Sequence, residues 1–442
     1  MNSPASKAST IAQTVHAARQ AAYQLATVSD AVRTKALLAA ADALEQRAAE
    51  VLAANRRDCK AAQRLVDLGE MTRATFARLQ TSDKGIAQMA AQVRQVAALP
   101  DPLGRELSLT EIDDGLTLHQ VSCPLGVVAI IFESRPDVVP QVASLALRSG
   151  NALLLKGGSE AEHTNQALVA IWLEALAAFP EIPQDSITLL HTRDDVNQLL
   201  RLHEGIDLIV PRGSQSFVRY IAEHSRIPVL GHGEGICHVY VDRAADLNKA
   251  LDVAFDSKVQ YPAACNAAET LLVHEEIAAQ FLPPMLERYR AAGVEVRGCS
   301  RTLALCGKGQ VLPATEEDWS TEYGDLVISM KIVDSLDEAI GHINRYGSKH
   351  TDSIVTEDAS AAAKFLEQVD AAGVYHNAST RFADGHRYGL GAELGVSTGK
   401  LHARGPVGLE GLTTYKYKLV GNGHTVAVYS RGERAYKHRK LK

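Results

Sequence analysis

The sequence has 442 residues, too many for one hydrophobic core, so two or three domains are expected. Its formal net charge is −6, which gives no indication of a nucleic-acid or membrane-surface partner. No apolar run approaches the roughly 18–20 residues that span a bilayer, and residues 1–10 lack the pattern of a secretory signal. Six scattered cysteines without a C-x-x-C pair argue against a disulfide framework and a zinc site. These features predict a cytoplasmic globular α/β enzyme without a metal.

The N-terminal region is predicted to be helical. Residues 7–64 are rich in alanine, and Ser29 stands where a helix would begin. After it, apolar residues recur every three or four positions and draw one stripe along a helix: Val32, Leu37, Leu38, Ala41, Leu44, Ala48 and Leu52. We expect this region to pack rather than to carry chemistry.

Residues 107–123 are predicted to form a β-hairpin. Two apolar segments flank the turn at Asp113 to Gly115, whose residue types tolerate the positive φ that such a turn needs. A two-stranded ribbon is rarely stable alone. We therefore expect it to pack on another subunit or on another part of this chain.

Residues 126–242 alternate between strand and helix signals. The strand candidates are continuous apolar runs, typical of a parallel sheet covered on both faces: "GVVAIIFE", "ALLLKG", "ITLLHT", "IDLIV" and "CHVYVD". Helical stretches separate them, which predicts a doubly wound α/β sheet.

A second strand–helix region follows from about 250 to 400. Within it, residues 376–414 are rich in Gly, Arg, Thr and His and show little periodicity, a combination that usually indicates function. The tail at 431–442 carries six Lys and Arg residues against one Glu. It is expected to be a solvated end, with phosphate binding as the alternative.

A dinucleotide fingerprint of the G-x-G-x-x-G type is absent, because Gly231–Gly235 has the glycines without the spacing. Another phosphate cradle follows the predicted strand that ends at Val210. There, Gly213 belongs to a tight turn and Ser214 begins a helix, where backbone N–H groups and a hydroxyl can bind phosphate. Taken alone, Ser214 would be interpreted as a simple helix cap.

Two basic residues follow predicted parallel strands. Lys156 ends one of them and would point into the crevice where such sheets bind ligands. Arg135 precedes Pro136, which suits the first position of a helix, and its guanidinium can form a paired contact with carboxylate or phosphate. Each is also compatible with an ordinary surface position.

Long segments of the chain resemble one family. In order they are residues 124–161, "VPRGS" at 210–214, "GHGEGICHVYVD" at 231–242, "YPAACNAAETLLVH" at 261–274, and residues 379–417. Over roughly 7–425, they resemble the γ-glutamyl phosphate reductases, a proline-biosynthetic family of the aldehyde dehydrogenase superfamily.

The resemblance implies an aldehyde dehydrogenase-like α/β fold with three parts. A Rossmann-like NADP-binding domain would cover 1–105 and 125–240, and a catalytic domain would cover 241–400. A β-ribbon for oligomerisation would use 106–124 and 401–425, followed by a basic tail at 426–442.

The resemblance also implies a nucleophile, Cys265. Its thiolate would attack the carbonyl of L-glutamyl 5-phosphate and expel phosphate, and hydride from NADPH would reduce the thioester to glutamate 5-semialdehyde. The N–H of Cys265 is expected to bind the oxyanion, with Ser134 as the nearest match to the asparagine that the superfamily usually adds. Without the matched motif, Cys265 would be taken for a small buried side chain.

The remaining site residues are also carried over from the resemblance. For NADP(H), Lys156 would bond the adenine-side ribose or its phosphate, Gly213 and Ser214 the pyrophosphate, and Glu322 the nicotinamide ribose. Ser159 stands where many NAD-preferring relatives have an acid, so no negative charge would repel a 2′-phosphate. For the carboxylate and phosphate of the substrate, the candidates are Arg135 and Arg381, helped by Asn377.

Two other functions stay open from the sequence. A hydrolytic NAD(P) aldehyde dehydrogenase would keep Cys265 and Ser214 but needs a base, and Glu234 is offset from the expected place. An inactive scaffold that binds nucleotide or a partner is disfavoured by the intact "ACNAAET". The expected partners are the substrate and further copies of the chain in a homodimer or homotetramer. A transient association with glutamate 5-kinase would shield a labile acyl phosphate, although no residue demonstrates it.

Overall fold

The computed structural model describes residues 10–231, 233–306 and 309–442. The chain divides into two compact units. Unit 1 comprises residues up to Leu230 together with Leu390–Gly395 and Val407–Lys442, and unit 2 comprises Gly231–Gly389 and Val396–Pro406. Among the described residues, no helix combines the length and the apolar character needed to cross a membrane.

Unit 1 begins with five helices, and the first two are capped by residues that the sequence offers for that role. The helices are α1 (Ile11–Leu25), α2 (Asp30–Gln46), α3 (Ala48–Asp67), α4 (Arg73–Leu79) and α5 (Asp83–Ala98). The Ser29 hydroxyl accepts a bond from the Val32 N–H at 3.4 Å. The predicted apolar stripe is shared by α2 and α3, because the backbone leaves the helical conformation at Arg47 (φ −106°).

The rest of unit 1 to residue 230 holds the predicted hairpin and a parallel sheet. Its elements are β1 (Glu106–Asp113), β2 (Leu116–Pro124), β3 (Val127–Phe132), α6 (Val138–Arg148), β4 (Ala152–Lys156), α7 (Glu162–Leu176), β5 (Ile187–Leu189), α8 (Arg193–Leu199), β6 (Leu208–Arg212) and α9 (Gln215–His224). The parallel sheet has the order β5-β4-β3-β6, and every residue of β3 is buried. The carboxyl ends of β3, β4 and β6 therefore meet at one edge.

Unit 2 is built on a second parallel sheet, with helices between its strands. The elements are β7 (Cys237–Val241), α10 (Leu247–Val259), β8 (Ala268–His274), α11 (Glu275–Ala291), β9 (Glu295–Gly298), α12 (Ser300–Cys306), β10 (Leu312–Pro313), β11 (Val327–Val333), α13 (Leu336–Tyr346), β12 (Thr351–Val355), α14 (Ala359–Gln368) and β13 (Gly373–His376). The order is β10-β9-β11-β8-β7-β12-β13. Fully buried Phe281, Tyr289 and Met330 belong to its core.

The fifth predicted strand of the 126–242 region differs from the expectation. Its segment forms β7, which pairs with β8 and β12 in the sheet of unit 2 rather than with the strands of unit 1. A continuous apolar run indicates a strand covered on both faces but not which sheet receives it. Both sheets are nevertheless parallel with helices between their strands, as the sequence predicted for an α/β protein.

The final segments add β14 (Gly395–Ser397), β15 (Gly405–Val407), β16 (Thr413–Val420), α15 (Val426–Ser430) and β17 (Arg439–Lys440). β14 pairs with β15. β16 and β17 join the hairpin in an antiparallel sheet of order β16-β2-β1-β17. The basic tail is thus tied to β1 through its backbone, and Arg439 pairs with Glu111 at 2.8 Å.

His342 on α13 links the packing of unit 2 to pH. Its ring lies 5.5 Å from Trp319, 4.6 Å from Tyr346 and 5.6 Å from His238 between ring centroids. Burial lowers the pKa of His342 to about 2, helped by the nearby charges of His238, Lys331 and Arg345. The folded protein therefore keeps this ring neutral at pH values where an unfolded chain binds a proton.

We expect the stability of unit 2 to fall on acidification below about pH 6.5, the ordinary pKa of histidine. His342 contributes up to about 1.4 kcal/mol per pH unit to that slope, because only the unfolded state takes up the proton. Urea unfolding of His342→Leu should show a shallower pH dependence than wild type, while His203→Gln, at an exposed position, should not. Equal slopes for wild type and His342→Leu would contradict this assignment.

Candidate functional site

Cys265 lies in an irregular turn between α10 and β8. Two backbone bonds shape the turn, from the N–H of Ala264 to the carbonyl of Tyr261 at 3.2 Å and from the N–H of Ala267 to the carbonyl of Ala264 at 2.9 Å. Cys265 is partly exposed. Its own N–H has no hydrogen-bond acceptor among the described residues. The turn thus presents a thiol and an available backbone donor on the same residue.

The backbone of Cys265 rests against the segment that enters β7. A Cβ on Gly235 would lie 2.0 Å from the Cys265 carbonyl oxygen and 2.6 Å from its Cα, so only glycine fits there. The thiol of Cys237 donates to the same carbonyl at 3.3 Å and is fully buried. Burial raises the pKa of Cys237 well above its ordinary value, so this sulfur stays a protonated donor.

Arg381 provides positive charge near the thiol. Its Nε donates to Gln260 at 2.9 Å, and its guanidinium lies 5.7 Å from the centroid of the Tyr261 ring. Burial lowers the pKa of Arg381, Arg387 acts in the same direction, and the negative charge of an ionised Cys265 opposes both. Arg381 and Cys265 are therefore close enough to interact, and the structure brings these two predicted residues together.

Asn377 has other partners. It adopts positive φ (53°) just after β13, and its side-chain oxygen accepts a bond from the Thr356 N–H at 3.0 Å. Its amide nitrogen donates to the Thr356 carbonyl at 3.1 Å and to Glu357 at 3.3 Å. The amide of Asn377 thus ties the start of its own loop to the backbone of the loop that follows β12.

Sequence reasoning missed a buried ion pair at the base of the Cys265 turn. Lys258 on α10 and Glu269 on β8 are fully buried, and their charged atoms lie 2.6 Å apart. Glu269 also accepts a bond from the Gly324 N–H at 3.2 Å. Burial lowers the pKa of Lys258 and raises that of Glu269 to about 7, and the nearby charge of Glu322 adds to the latter. The one sequence signal was an acid four residues after the cysteine.

Three residues, Gly235, Cys265 and Glu322, share one edge of the unit 2 sheet. Gly235, Cys265 and Glu322 each lie shortly before a strand, namely β7, β8 and β11, which are neighbours in that sheet. Because the strands are parallel, their amino ends meet at the same edge. Glu322 is partly exposed and makes no hydrogen bond or ion pair within the described residues.

Apart from Glu322, the residues predicted to bind cofactor lie in unit 1, around the carboxyl ends of β4 and β6. Lys156 is buried at the end of β4 and donates to the Gly157 carbonyl. Ser159 begins the short 3₁₀ helix at Ser159–Ala161. Ser214 is the N-cap of α9, but its hydroxyl does not cap the helix and lies 3.4 Å from that of Ser216.

Two carboxylates already bind donors at this edge. Glu133 accepts a bond from the Ser214 N–H at 2.9 Å, and a Cβ on Gly213 would lie 2.5 Å from it. Glu160 accepts from both the N–H and the hydroxyl of Ser134, at 2.7 and 2.6 Å. The two bonds stabilise the positive φ (41°) of Ser134. Backbone amides at the start of α9 suit a phosphate, so the residues present fit a dinucleotide.

Arg135 follows directly in this turn. It is partly exposed, and its guanidinium forms no hydrogen bond or ion pair in the part of the chain that the structure describes. Within that part, no group of three or more His, Cys, Asp or Glu side chains is arranged to hold a metal ion.

Comparison with known proteins agrees with the fold. Residues 1–297, more than half of the chain, match the family model described as "Aldehyde dehydrogenase family". An acetylating aldehyde dehydrogenase from Geobacillus thermoglucosidasius shares the fold at a TM-score of 0.65 and 17% identity, over 94% of this chain and 97% of that one. The structure is thus that of an aldehyde dehydrogenase-like oxidoreductase.

Similarity within that class is much higher to one group. The chain is 54% identical to the γ-glutamyl phosphate reductase of Natronomonas pharaonis over 94% of both chains, and 55% identical to that of Synechococcus sp. over 96% of this chain and 93% of that one. The crystal structure of the Thermotoga maritima enzyme matches with a TM-score of 0.90 and 43% identity, covering 94% and 99%. The chain belongs to the γ-glutamyl phosphate reductase group of the aldehyde dehydrogenase family.

We expect Lys258→Met to reduce the free energy of unfolding by about 3–5 kcal/mol, because it leaves Glu269 buried without a counter-ion. The loss should be larger at about pH 8 than at about pH 5, since a protonated Glu269 needs no counter-ion. The double variant Lys258→Met/Glu269→Leu should recover much of the lost free energy of unfolding, because it removes both buried charges. Denaturant unfolding at the two pH values measures these differences.

Lys249→Met is the matched control, because Lys249 forms a half-exposed pair with Glu357 at 2.9 Å. Its removal should cost about 1 kcal/mol or less. A Lys258→Met protein as stable as Lys249→Met would show that the buried pair does not hold the turn.

Proposed function

We propose that the chain catalyses the NADPH-dependent reduction of L-glutamyl 5-phosphate to L-glutamate 5-semialdehyde and phosphate, the second step of proline biosynthesis from glutamate, with Cys265 as the nucleophile. The observation that carries this proposal is the Cys265 turn. The turn combines a partly exposed thiol, an N–H on the same residue that has no acceptor among the described residues, and an arginine within electrostatic reach, in a chain of this family.

The chain's own residues divide the acyl-transfer step between them. Arg381 brings a positive charge near Cys265, and the thiolate is the form of cysteine that attacks a carbonyl. The thiolate attacks the acyl carbonyl, phosphate departs, and a thioester on Cys265 remains. The Cys265 N–H donates to the oxygen that becomes negative during attack. The reduced nicotinamide supplies hydride when bound, and release of the aldehyde returns the thiol.

The cofactor is proposed to bind at the carboxyl edge of the unit 1 sheet. The α9 amino terminus at Gly213 and Ser214 suits the pyrophosphate, and Lys156 suits the ribose or its 2′-phosphate. Ser159 brings no charge, and the nearby carboxylate of Glu160 is held by two donors from Ser134. This supports NADP(H) over NAD(H). Glu322, which has no partner of its own among the described residues, is proposed for the nicotinamide ribose.

The anionic groups of the substrate are assigned to two arginines. Arg135 has a guanidinium without a partner in the described residues, and Arg381 lies near Cys265. Asn377 is proposed to help by shaping the loop that precedes Arg381 rather than through a free amide, since its amide is engaged. Ser134 is proposed for the oxyanion only if its hydroxyl turns from Glu160.

The assembly is proposed to be a homodimer or homotetramer built on the ribbon. β16 is an edge strand, and its apolar side chains Tyr415, Tyr417 and Leu419 are half or more exposed. An edge strand with such side chains is a template for pairing with another chain. A cytoplasmic location and a transient contact with glutamate 5-kinase complete the proposal.

Replacement of Cys265 by alanine should reduce turnover by roughly 10⁴-fold or more, as loss of a covalent nucleophile does elsewhere. The assay is NADPH oxidation with glutamyl phosphate generated in situ. Cys123→Ala, which removes a sulfur from β2, is the control and should retain activity. Full turnover by Cys265→Ser would overturn the proposal.

The reverse reaction separates this function from a hydrolytic aldehyde dehydrogenase. Oxidation of the semialdehyde with NADP⁺ should depend strictly on added phosphate, because the thioester needs phosphate as its acceptor. Steady activity in phosphate-free buffer, with glutamate as product, would favour the hydrolytic enzyme.

Ser159→Glu should raise KM for NADPH by about tenfold or more, since a carboxylate would repel the 2′-phosphate by roughly 1.4 kcal/mol or more. KM for NADH should change little. Ser159→Gln has a similar size without the charge and controls for bulk. An equal rise for both cofactors in Ser159→Glu would contradict the placement of Ser159 at the 2′-phosphate.

A further inference from the structure

We propose that Gly235 and Cys237 are positioning residues for the nucleophile: together they hold the Cys265 peptide in the orientation that the reaction needs. The proposal rests on the function given above for Cys265. Neither residue is expected to touch the substrate, and both act through the backbone of the nucleophile turn.

The contact is close and specific. The Cys265 backbone occupies the space that a side chain at position 235 would need. The carbonyl carbon and the Cα of Cys265 each lie 2.6 Å from where a Cβ on Gly235 would be. Real Cβ atoms do not approach backbone at such distances, so any other residue at 235 must displace the turn. Gly235 has ordinary φ, and space rather than backbone conformation therefore requires glycine.

Cys237 fixes the rotation of the same peptide. Its thiol donates to the Cys265 carbonyl at 3.3 Å, and no part of the residue is exposed to solvent. A trans peptide is planar, so a carbonyl that points to Cys237 turns the Asn266 N–H to the opposite side. A weak S–H donor is enough to select one orientation where no water competes.

The segment Gly235–Cys237 is itself held in place by hydrogen bonds to Ser348. The N–H of Ile236, between the two residues, donates to the Ser348 hydroxyl at 2.8 Å, and the Ser348 N–H donates back to the Ile236 carbonyl at 3.4 Å. Cys237 on β7 also pairs with Ala268 on β8, and Ala268 lies three residues after Cys265 in the sequence. The entry to β7 is thus a rigid support, whereas the Cys265 turn has little regular structure of its own.

The test compares three substitutions in the full chain. Cys237→Ala removes the donor and should lower kcat about fivefold, the value of one neutral hydrogen bond. Cys237→Ser keeps a donor and should stay within about twofold of wild type. Gly235→Ala displaces the turn and should lower kcat by about 100-fold. KM for both substrates should change little in all three, because binding groups are not altered.

Two controls separate positioning from general destabilisation. Cys306→Ala removes a sulfur from the end of α12 in the same unit and should match wild type in kcat and melting temperature. Dinucleotide affinity, measured by fluorescence titration without turnover, should be the same in every variant. If Gly235→Ala does not fold, the comparison of kcat between Cys237→Ala and Cys237→Ser is the test of the proposal.

The inference is overturned if Cys237→Ala and Cys237→Ser have equal kcat, if the loss of kcat follows the loss of melting temperature, or if folded Gly235→Ala keeps wild-type kcat. Failure of the proposed function looks different. In that case wild type forms no semialdehyde, or Cys265→Ala turns over as fast as wild type.

Discussion

One constraint shapes the amino edge of the unit 2 sheet: an irregular turn holds the partly exposed thiol of Cys265 beside a backbone N–H that has no acceptor among the described residues. Folded proteins pair nearly all of their buried backbone donors and acceptors, so a donor without a protein acceptor stands out. The side chain of Asn266, the residue after Cys265, donates to the Ala383 carbonyl at 2.8 Å. The thiol of Cys237, at the start of β7, donates to the Cys265 carbonyl. The side chain of Asn266 and the carbonyl of Cys265 are thus both engaged with other partners.

The same constraint explains the buried ion pair. Lys258 is the last but one residue of α10, and Glu269 is the second residue of β8, so their bond closes the segment that contains Cys265. Two buried charges are costly to desolvate, and such a pair adds little net stability over apolar residues. It does, however, fix one geometry, and the Gly324 N–H ties the segment of Glu322 to the same carboxylate. A hydrophobic pair would lack that third contact.

What the sequence predicted was largely local. The hairpin at Asp113 to Gly115 and the strands of unit 1 follow from turn chemistry and apolar runs, and the γ-glutamyl phosphate reductase family follows from long ordered motifs. The sheet that receives β7 could not be predicted, since a buried strand has the same pattern in either sheet. The partnership of Lys258 with Glu269 also escaped prediction. An eleven-residue separation across a helix, turn and strand leaves no periodic signal, and only the fold brings the two charges together.

The two units also place their polar residues by opposite geometries. In unit 1 the predicted residues lie beyond the carboxyl ends of parallel strands, the position that a general rule for α/β sheets indicates. In unit 2 Gly235, Cys265 and Glu322 lie before the amino ends of theirs, where that rule gives no guidance. The unit 1 edge also carries negative charge of its own, since Glu133 accepts the Ser214 N–H. A phosphate that accepts a bond from this N–H must displace the carboxylate of Glu133. Its binding free energy therefore reflects the new hydrogen bond minus the bond to Glu133 that is lost.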